Sequence, residues 1–73
     1  MSWIEVLKNS KISGKSIKEM AIRSKTGVSV VGVLRNNGFI PNPDAVFTFQ
    51  PEDYIAIIGM PENKKLFNET MIF

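Results

Sequence analysis

The stretch Val28-Ser29-Val30-Val31-Gly32-Val33-Leu34-Arg35-Asn36-Asn37-Gly38-Phe39-Ile40 decides the fold. Residues 28–35 are rich in β-branched side chains, which suit a pleated, half-buried backbone. Asn36-Asn37-Gly38 carries the Asn-Gly signal of a tight hairpin, because these residues tolerate the positive φ values that such turns need. Phe39-Ile40 then begins a return strand. Gly32 interrupts the first strand, so a bulge or a close approach by another group is expected there. Pro41-Asn42-Pro43-Asp44 stops the pairing: neither proline has an amide donor, and Ile40 and Asn42 are pushed toward extended geometry.

Working upstream, Ser16-Ile17-Lys18-Glu19 is a capping box, in which the Ser hydroxyl and the Glu carboxylate each accept from the other's backbone amide. Ile17, Met20, Ala21 and Ser24 follow at the spacing of one helix face, with Lys18, Arg23 and Lys25 on the wet side. Gly27 is the natural stop, since it turns left-handed without a Cβ clash. Residues 3–7 read as a short strand with Trp3, Glu5 and Leu7 on one face and Ile4 and Val6 on the other.

Downstream, residues 46–49 read as a short strand. Gln50-Pro51-Glu52-Asp53 is a turn, and residues 54–58 form a fully buried strand ending at Gly59. Pro61 opens a closing helix. Met71-Ile72-Phe73 is too apolar for an exposed tail and is expected to dock on the sheet or on a second subunit. The predicted order is β-α-β-β-β-β-α. With hairpin-length connections between the later strands, this is an α+β fold: a small, mainly antiparallel sheet with two helices, one domain over residues 1–73.

Composition narrows the chemistry. The chain has 73 residues, no Cys and no His, so neither a disulfide nor a thiolate or imidazole catalyst is available, and an enzyme is not expected. No metal or cofactor is expected either; Cys/His zinc ligation is impossible. A core this small gains from a partner that covers apolar surface, which predicts a homodimer or a piece of a larger protein. No apolar run approaches the ~20 residues of a spanning helix. Residues 1–10 carry Glu5 and Lys8 among the apolar positions and do not follow a signal-peptide plan, so a soluble, cytoplasmic domain is expected. The net charge of +2 is uneven: residues 1–35 carry +5 and residues 36–73 carry −3. The asymmetry suits an anion-attracting face or self-association through opposite ends.

Several of these motifs together resemble a known family. Gly14-Lys15-Ser16-Ile17-Lys18-Glu19-Met20, followed by Gly27-Val28-Ser29-Val30-Val31-Gly32-Val33-Leu34-Arg35, is similar to the opening of the TrkA-C domain, the C-terminal half of the RCK (regulator of conductance of potassium) domain. Residues 35–44 resemble its R-x-G-x-x-x-P-x-P hairpin, and Asp53-Tyr54-Ile55-Ala56-Ile57-Ile58-Gly59 its closing D-x-L-x-V-x-G strand. The family usually has Gly before that Asp, where this chain has Glu52. Pro51-Glu52 is therefore expected to form a type I turn with both φ values negative.

The resemblance implies a cytoplasmic regulatory module on a potassium channel, a potassium uptake system or a cation antiporter, attached to the membrane through that transport protein. It implies dimerisation and, in some members, cyclic di-AMP bound at the dimer interface. No G-x-G-x-x-G fingerprint is present for a dinucleotide of the NAD type. The alternative is a purely structural dimerisation module without ligand. Nucleic acid is not an expected partner, although the basic first half keeps it as a third possibility.

The candidate ligand residues are Arg35, Asn36, Asn37, Ile40, Pro41 and Pro43. An Arg fork at a strand end suits a phosphate, or a salt bridge to Asp44. Asn36 and Asn37 suit a phosphodiester or base edge, or serve the turn alone. Pro41, Asn42 and Pro43 make a donor-poor wall for a flat purine, or simply reverse the chain. Ile40 offers apolar contact to a base, or core packing. Lys11, Lys15 and Lys18 stand before or at the helix start, where an anion or solvent would suit them. Truncating Arg35 to Ala is expected to weaken such binding by more than ~1 kcal/mol.

Overall fold

The turn at Asn36 and Asn37 sets the register of the sheet. In the computed structural model, which describes residues 1–72, both asparagines are left-handed, at φ 51 and 65. They form the two-residue loop of a type I′ hairpin. Gly38 already lies in the return strand, opposite Arg35, so the loop is Asn-Asn rather than Asn-Gly. The strands are β2 (Ser29–Arg35) and β3 (Gly38–Pro41).

Beside this hairpin lie β1 (Ser2–Glu5) and β4 (Tyr54–Ile58), giving a four-stranded antiparallel sheet of order β1-β4-β2-β3. Strand β4 sits between β1 and β2, which explains its apolar run. Ile55, Ala56 and Ile57 are buried. Its end residues Tyr54 and Ile58 are exposed, so the strand is buried at its centre and not throughout. The pairing shifts register between Val30 and Gly32, a bulge at Val31. Gly32 also meets a close neighbour: a Cβ there would stand 2.3 Å from the tip of the Phe39 ring. Both reasons for a strand glycine apply at once.

The capping box forms as expected: Ser16 Oγ accepts from the Glu19 amide at 3.1 Å, and Glu19 Oε1 accepts from the Ser16 amide at 3.0 Å. The helix it opens is not continuous. It divides into α1 (Ile17–Met20) and α2 (Ile22–Thr26) at Ala21, which is left-handed at φ 48, ψ 47. The division buries Ile22 and Thr26, four residues apart, in place of the expected Ala21 and Ser24. Thr26 Oγ1 donates to the Ile22 carbonyl at 2.6 Å and accepts from the Val28 amide at 3.2 Å. Gly27, at φ 79, ends α2 as expected.

Residues 46–49 are not a fifth strand of the sheet. Past β3 the chain turns at Asn42 (φ 44) and runs beside residues 14–18 instead. There the Gly14 amide donates to the Phe49 carbonyl, the Phe49 amide to the Lys15 carbonyl, and the Ile17 amide to the Phe47 carbonyl. Only Ser16 and Thr48 pair as an isolated bridge. The Pro41-Asn42-Pro43 corner leads this segment off the sheet edge, and it serves the core by burying Phe49.

Glu52 differs too. Its φ is 77, not negative, so the turn keeps the left-handed corner that glycine usually supplies in this position of the resembled family. Helix α3 (Pro61–Phe67) starts with its proline in the first turn, and a π-helical turn (Asn68–Ile72) continues it. Met71 is buried in the core, and its carbonyl accepts from the Ile12 amide at 3.0 Å. The tail therefore docks on its own domain as far as Ile72; the expectation for Phe73 lies outside the described residues.

The register assigns the two faces of the sheet. Ile4, Ile55, Val33 and Ile40 lie across one face, where they join Ile22, Phe49, Phe67 and Met71 in the core. Trp3, Tyr54, Leu34 and Phe39 lie on the other, where Trp3, Tyr54 and Phe39 are exposed. Trp3 is 46% and Phe39 54% exposed, with ring centroids 6.3 Å apart in an edge-on contact.

Candidate functional site

A cleft of about 190 Å³ opens where the helical layer meets the start of β2. Helix α1 contributes Ile17, α2 contributes Ile22 and Arg23, and β2 contributes Ser29 and Val30. The turn before β2 adds Val28, and the loop after β3 adds Pro43. Its lining is thus mostly aliphatic, with one arginine and one serine. Among the described residues the single ion pair is elsewhere, between Arg35 and Asp53, so no carboxylate neutralises Arg23. A mostly apolar cleft bordered by one unpaired arginine suits an apolar group that carries an anion.

The opposite end of β2, roughly 20 Å away by strand rise, is built differently. Arg35 Nε donates to Asp53 Oδ1 at 2.8 Å and Nη2 to Asp53 Oδ2 at 2.6 Å. Nη2 also donates to the Thr48 carbonyl at 3.0 Å, and the guanidinium carbon stands 4.7 Å from the Phe47 ring centroid. Asp53, 2% exposed, accepts in addition from the Gln50 amide at 2.8 Å. Hydrogen bonding to Asp53 raises the Arg35 pKa, so the group is always cationic. This bidentate pair joins the end of β2 to the turn before β4 and to residues 47–48. Asp44, the partner suggested by the sequence, instead accepts from the Val46 amide at 3.1 Å.

The six candidate residues therefore do not share one cavity. Arg35 and Asn36 border a polar hollow of about 240 Å³ with residues 50–53, and Asn36 and Asn37 border a second of about 220 Å³ with Leu34, Glu52 and Tyr54. Ile40 packs against the core, and Pro41 lies on the outer face of β3 opposite Gly32. Pro43 alone of the six lines the cleft. Ile17, Ile22, Arg23, Val28, Ser29 and Val30 are the cleft residues outside the candidate set. Arg23 is exposed, as the sequence pattern places it, and borders the cleft from α2, which follows the left-handed Ala21.

Comparison with known proteins gives the family: TrkA-C domain sequences match residues 1–70. The chain belongs to the TrkA-C domain family. This TrkA-C domain is 40% identical over 58 residues to "Probable potassium channel protein 2" of Methanocaldococcus jannaschii, covering 80% of the chain and 17% of the relative. It is 28% identical over 69 residues to the ammonium/H⁺ antiporter subunit AmhM of Alkalihalophilus pseudofirmus, covering 94% of the chain and 41% of that subunit. The chain thus spans less than half the length of these curated relatives.

Among solved structures, the RCK_C domain dimer of S. agalactiae BusR in complex with c-di-AMP superposes with a TM-score of 0.86 at 25% identity, covering 94% of this domain and 85% of that chain. The RCK C domain of the potassium transport protein KtrA, also in complex with c-di-AMP, gives 0.80 at 25% identity, covering 93% and 80%. A longer BusR chain, 34% of which is covered at the same identity and with a TM-score of 0.86, is in complex with promoter DNA. No helix among the described residues is long and apolar enough to cross a membrane.

Proposed function

We propose that this domain is a ligand-sensing regulatory module of a cation channel or transporter on its cytoplasmic side, and that its ligand is cyclic di-AMP. The observation that carries this reading is the cleft itself: Arg23, free of any carboxylate among the described residues, beside an aliphatic wall of Ile17, Ile22, Val30 and Pro43. Its volume of about 190 Å³ is below the ~300–1,000 Å³ of sites that enclose a drug-sized ligand. In this reading one chain holds one adenine and one phosphate, and a second copy holds the other half.

The two c-di-AMP complexes among the similar structures, one of them a dimer, support this division of the ligand. A bridged pair regulates a transporter only as far as the ligand prefers one dimer geometry over another. In this reading Arg23 meets the phosphate and Pro43 the base, while Arg35 holds the hairpin end in place.

Titration calorimetry with c-di-AMP, paired with the molecular mass in solution, tests the proposal. Binding at one ligand per two chains is expected. Arg23→Ala should weaken it at least tenfold, the scale of a charge-assisted hydrogen bond worth roughly 1.5–3 kcal/mol. Arg35→Lys, remote from the cleft, should bind like the parent. No heat with c-di-AMP, or a monomer in both states, overturns the reading.

The outer face, where Trp3, Phe39 and Tyr54 are exposed, favours a second reading, a structural dimerisation module. A dimeric mass with a melting temperature unmoved by c-di-AMP selects it.

A further inference from the structure

Two of the cleft's walls come from helices that a single residue separates. In an uninterrupted helix, at 3.6 residues per turn, Ile22 and Arg23 would point roughly 140° and 240° away from Ile17. Such a helix cannot gather the three around one cavity. In the structure they line the same cleft, with Ile22 buried and Ser24 exposed. The change of direction happens at Ala21. Its amide donates to the Ile17 and Lys18 carbonyls, each at 3.1 Å, which ends α1. Its carbonyl accepts from the Lys25 amide at 2.9 Å and from Ser24 Oγ at 3.2 Å, which begins α2.

A left-handed alanine is costly because its Cβ crowds the backbone, and alanine has the strongest preference of all residues for continuing a right-handed helix. The burial of Ile22 and Thr26 therefore holds the joint against local preference. We propose that Ala21 is the positioning residue of the cleft: its left-handed joint re-aims α2 and thereby delivers Arg23 to the ligand. The competing form has Ala21 right-handed and residues 17–26 as one helix, with Arg23 turned out of the cleft. This inference rests on the cleft being a binding site for an anionic ligand, and its test separates the two claims.

The test is a double-mutant cycle between positions 21 and 23, read by c-di-AMP calorimetry on variants shown to be folded by circular dichroism. Ala21→Val, whose β-branch strongly disfavours φ > 0, should lower affinity about tenfold in the parent, the scale of losing one charge-assisted contact. In the Arg23→Ala background the same change should have almost no effect, because there is no guanidinium left to position. Equal losses in both backgrounds, or unchanged affinity in folded Ala21→Val, overturn the proposal.

A chemically synthesised chain with D-alanine at position 21 covers the case in which the valine variant does not fold. D-alanine favours the left-handed region, so affinity should be equal or higher, and weaker binding overturns the proposal. A ligand-free measurement keeps the claims apart: nuclear Overhauser contacts from Arg23 to the Val30 methyls should be present in the parent and lost in Ala21→Val. If those contacts behave so while the parent fails to bind c-di-AMP, the joint stands and the ligand is wrong. If the parent binds and Ala21→Val keeps both contacts and affinity, the ligand stands and the joint is wrong.

Discussion

Glu52 holds a backbone conformation that its side chain does not favour. At φ 77 it is the left-handed corner between Pro51 and Asp53, and its amide donates to the Val6 carbonyl at 2.8 Å. The neighbouring Asp53 carbonyl accepts from the Val6 amide at 2.8 Å, so the corner is fastened to the chain just past β1 and does not relax. Replacing Glu52 by glycine removes the Cβ clash but frees the unfolded chain, a net gain of about 0.5–1 kcal/mol. A higher midpoint in denaturant checks this, and an equal or lower one refutes it.

At Glu19 the Ser16 amide, then the Ser16 hydroxyl and more weakly the Lys15 charge, hold the carboxyl below its usual 4.5. The folded value is the lower one, so its stabilisation is present above about pH 4.5 and is lost as pH falls through the folded value. Melting between pH 6 and pH 3 should therefore fall less steeply in Glu19→Gln than in the parent, and parallel curves would refute the assignment.

This capping box was legible because four consecutive residues spell it. Arg35 was legible as a fork seeking an acid, but its partner was not: Asp53 lies 18 positions away, and only the return of β4 beside β2 brings it there.

At the scale of elements, the β2–β3 hairpin was legible from its own residues, and Gly32 from its break in the side-chain pattern. What sequence could not supply was the direction in which elements leave one another. Ala21 reads as helix interior, yet tertiary burial of Ile22 and Thr26 prevails over its propensity. Residues 46–49 alternate like a strand, yet the Pro41–Asn42–Pro43 corner sends them to residues 14–18, where Phe47 and Phe49 meet with centroids 5.7 Å apart. Arg23 and Pro43 come together in the cleft only through those two changes of direction, so that site was the least legible feature.

Gly32 offers a test of the close approach by Phe39. A methyl group there would overlap the Phe39 ring, which can swing aside only by leaving Trp3. Gly32→Ala should cost about 1 kcal/mol, the scale of an aromatic pair, and shift tryptophan emission. Unchanged emission and stability would show that the ring was not held there.

Across the whole molecule, the core is closed from two sides, by the sheet and by the chain's last turn. Met71 is 1% exposed among Ile12, Phe67 and the inner face of β4, and its carbonyl holds the loop after β1 through the Ile12 amide. Met71→Ala should cost roughly 2–4 kcal/mol, as for other buried large-to-small changes. In a domain of this size that is a large part of the total stability. Thermal melts measure it; a loss under about 1 kcal/mol would place Met71 outside the core.

The strand order has a consequence for how the chain is made. Strand β4, the last to be synthesised, is the one inserted between β1 and β2. Until it leaves the ribosome, the amino-terminal strand has no neighbour to bond, and the hairpin stands with one flank bare. Closure of the sheet must therefore wait for β4. Such non-local pairing is slower to form than the local contacts of a helical bundle, and the unpaired strands are open to proteases and chaperones throughout that wait.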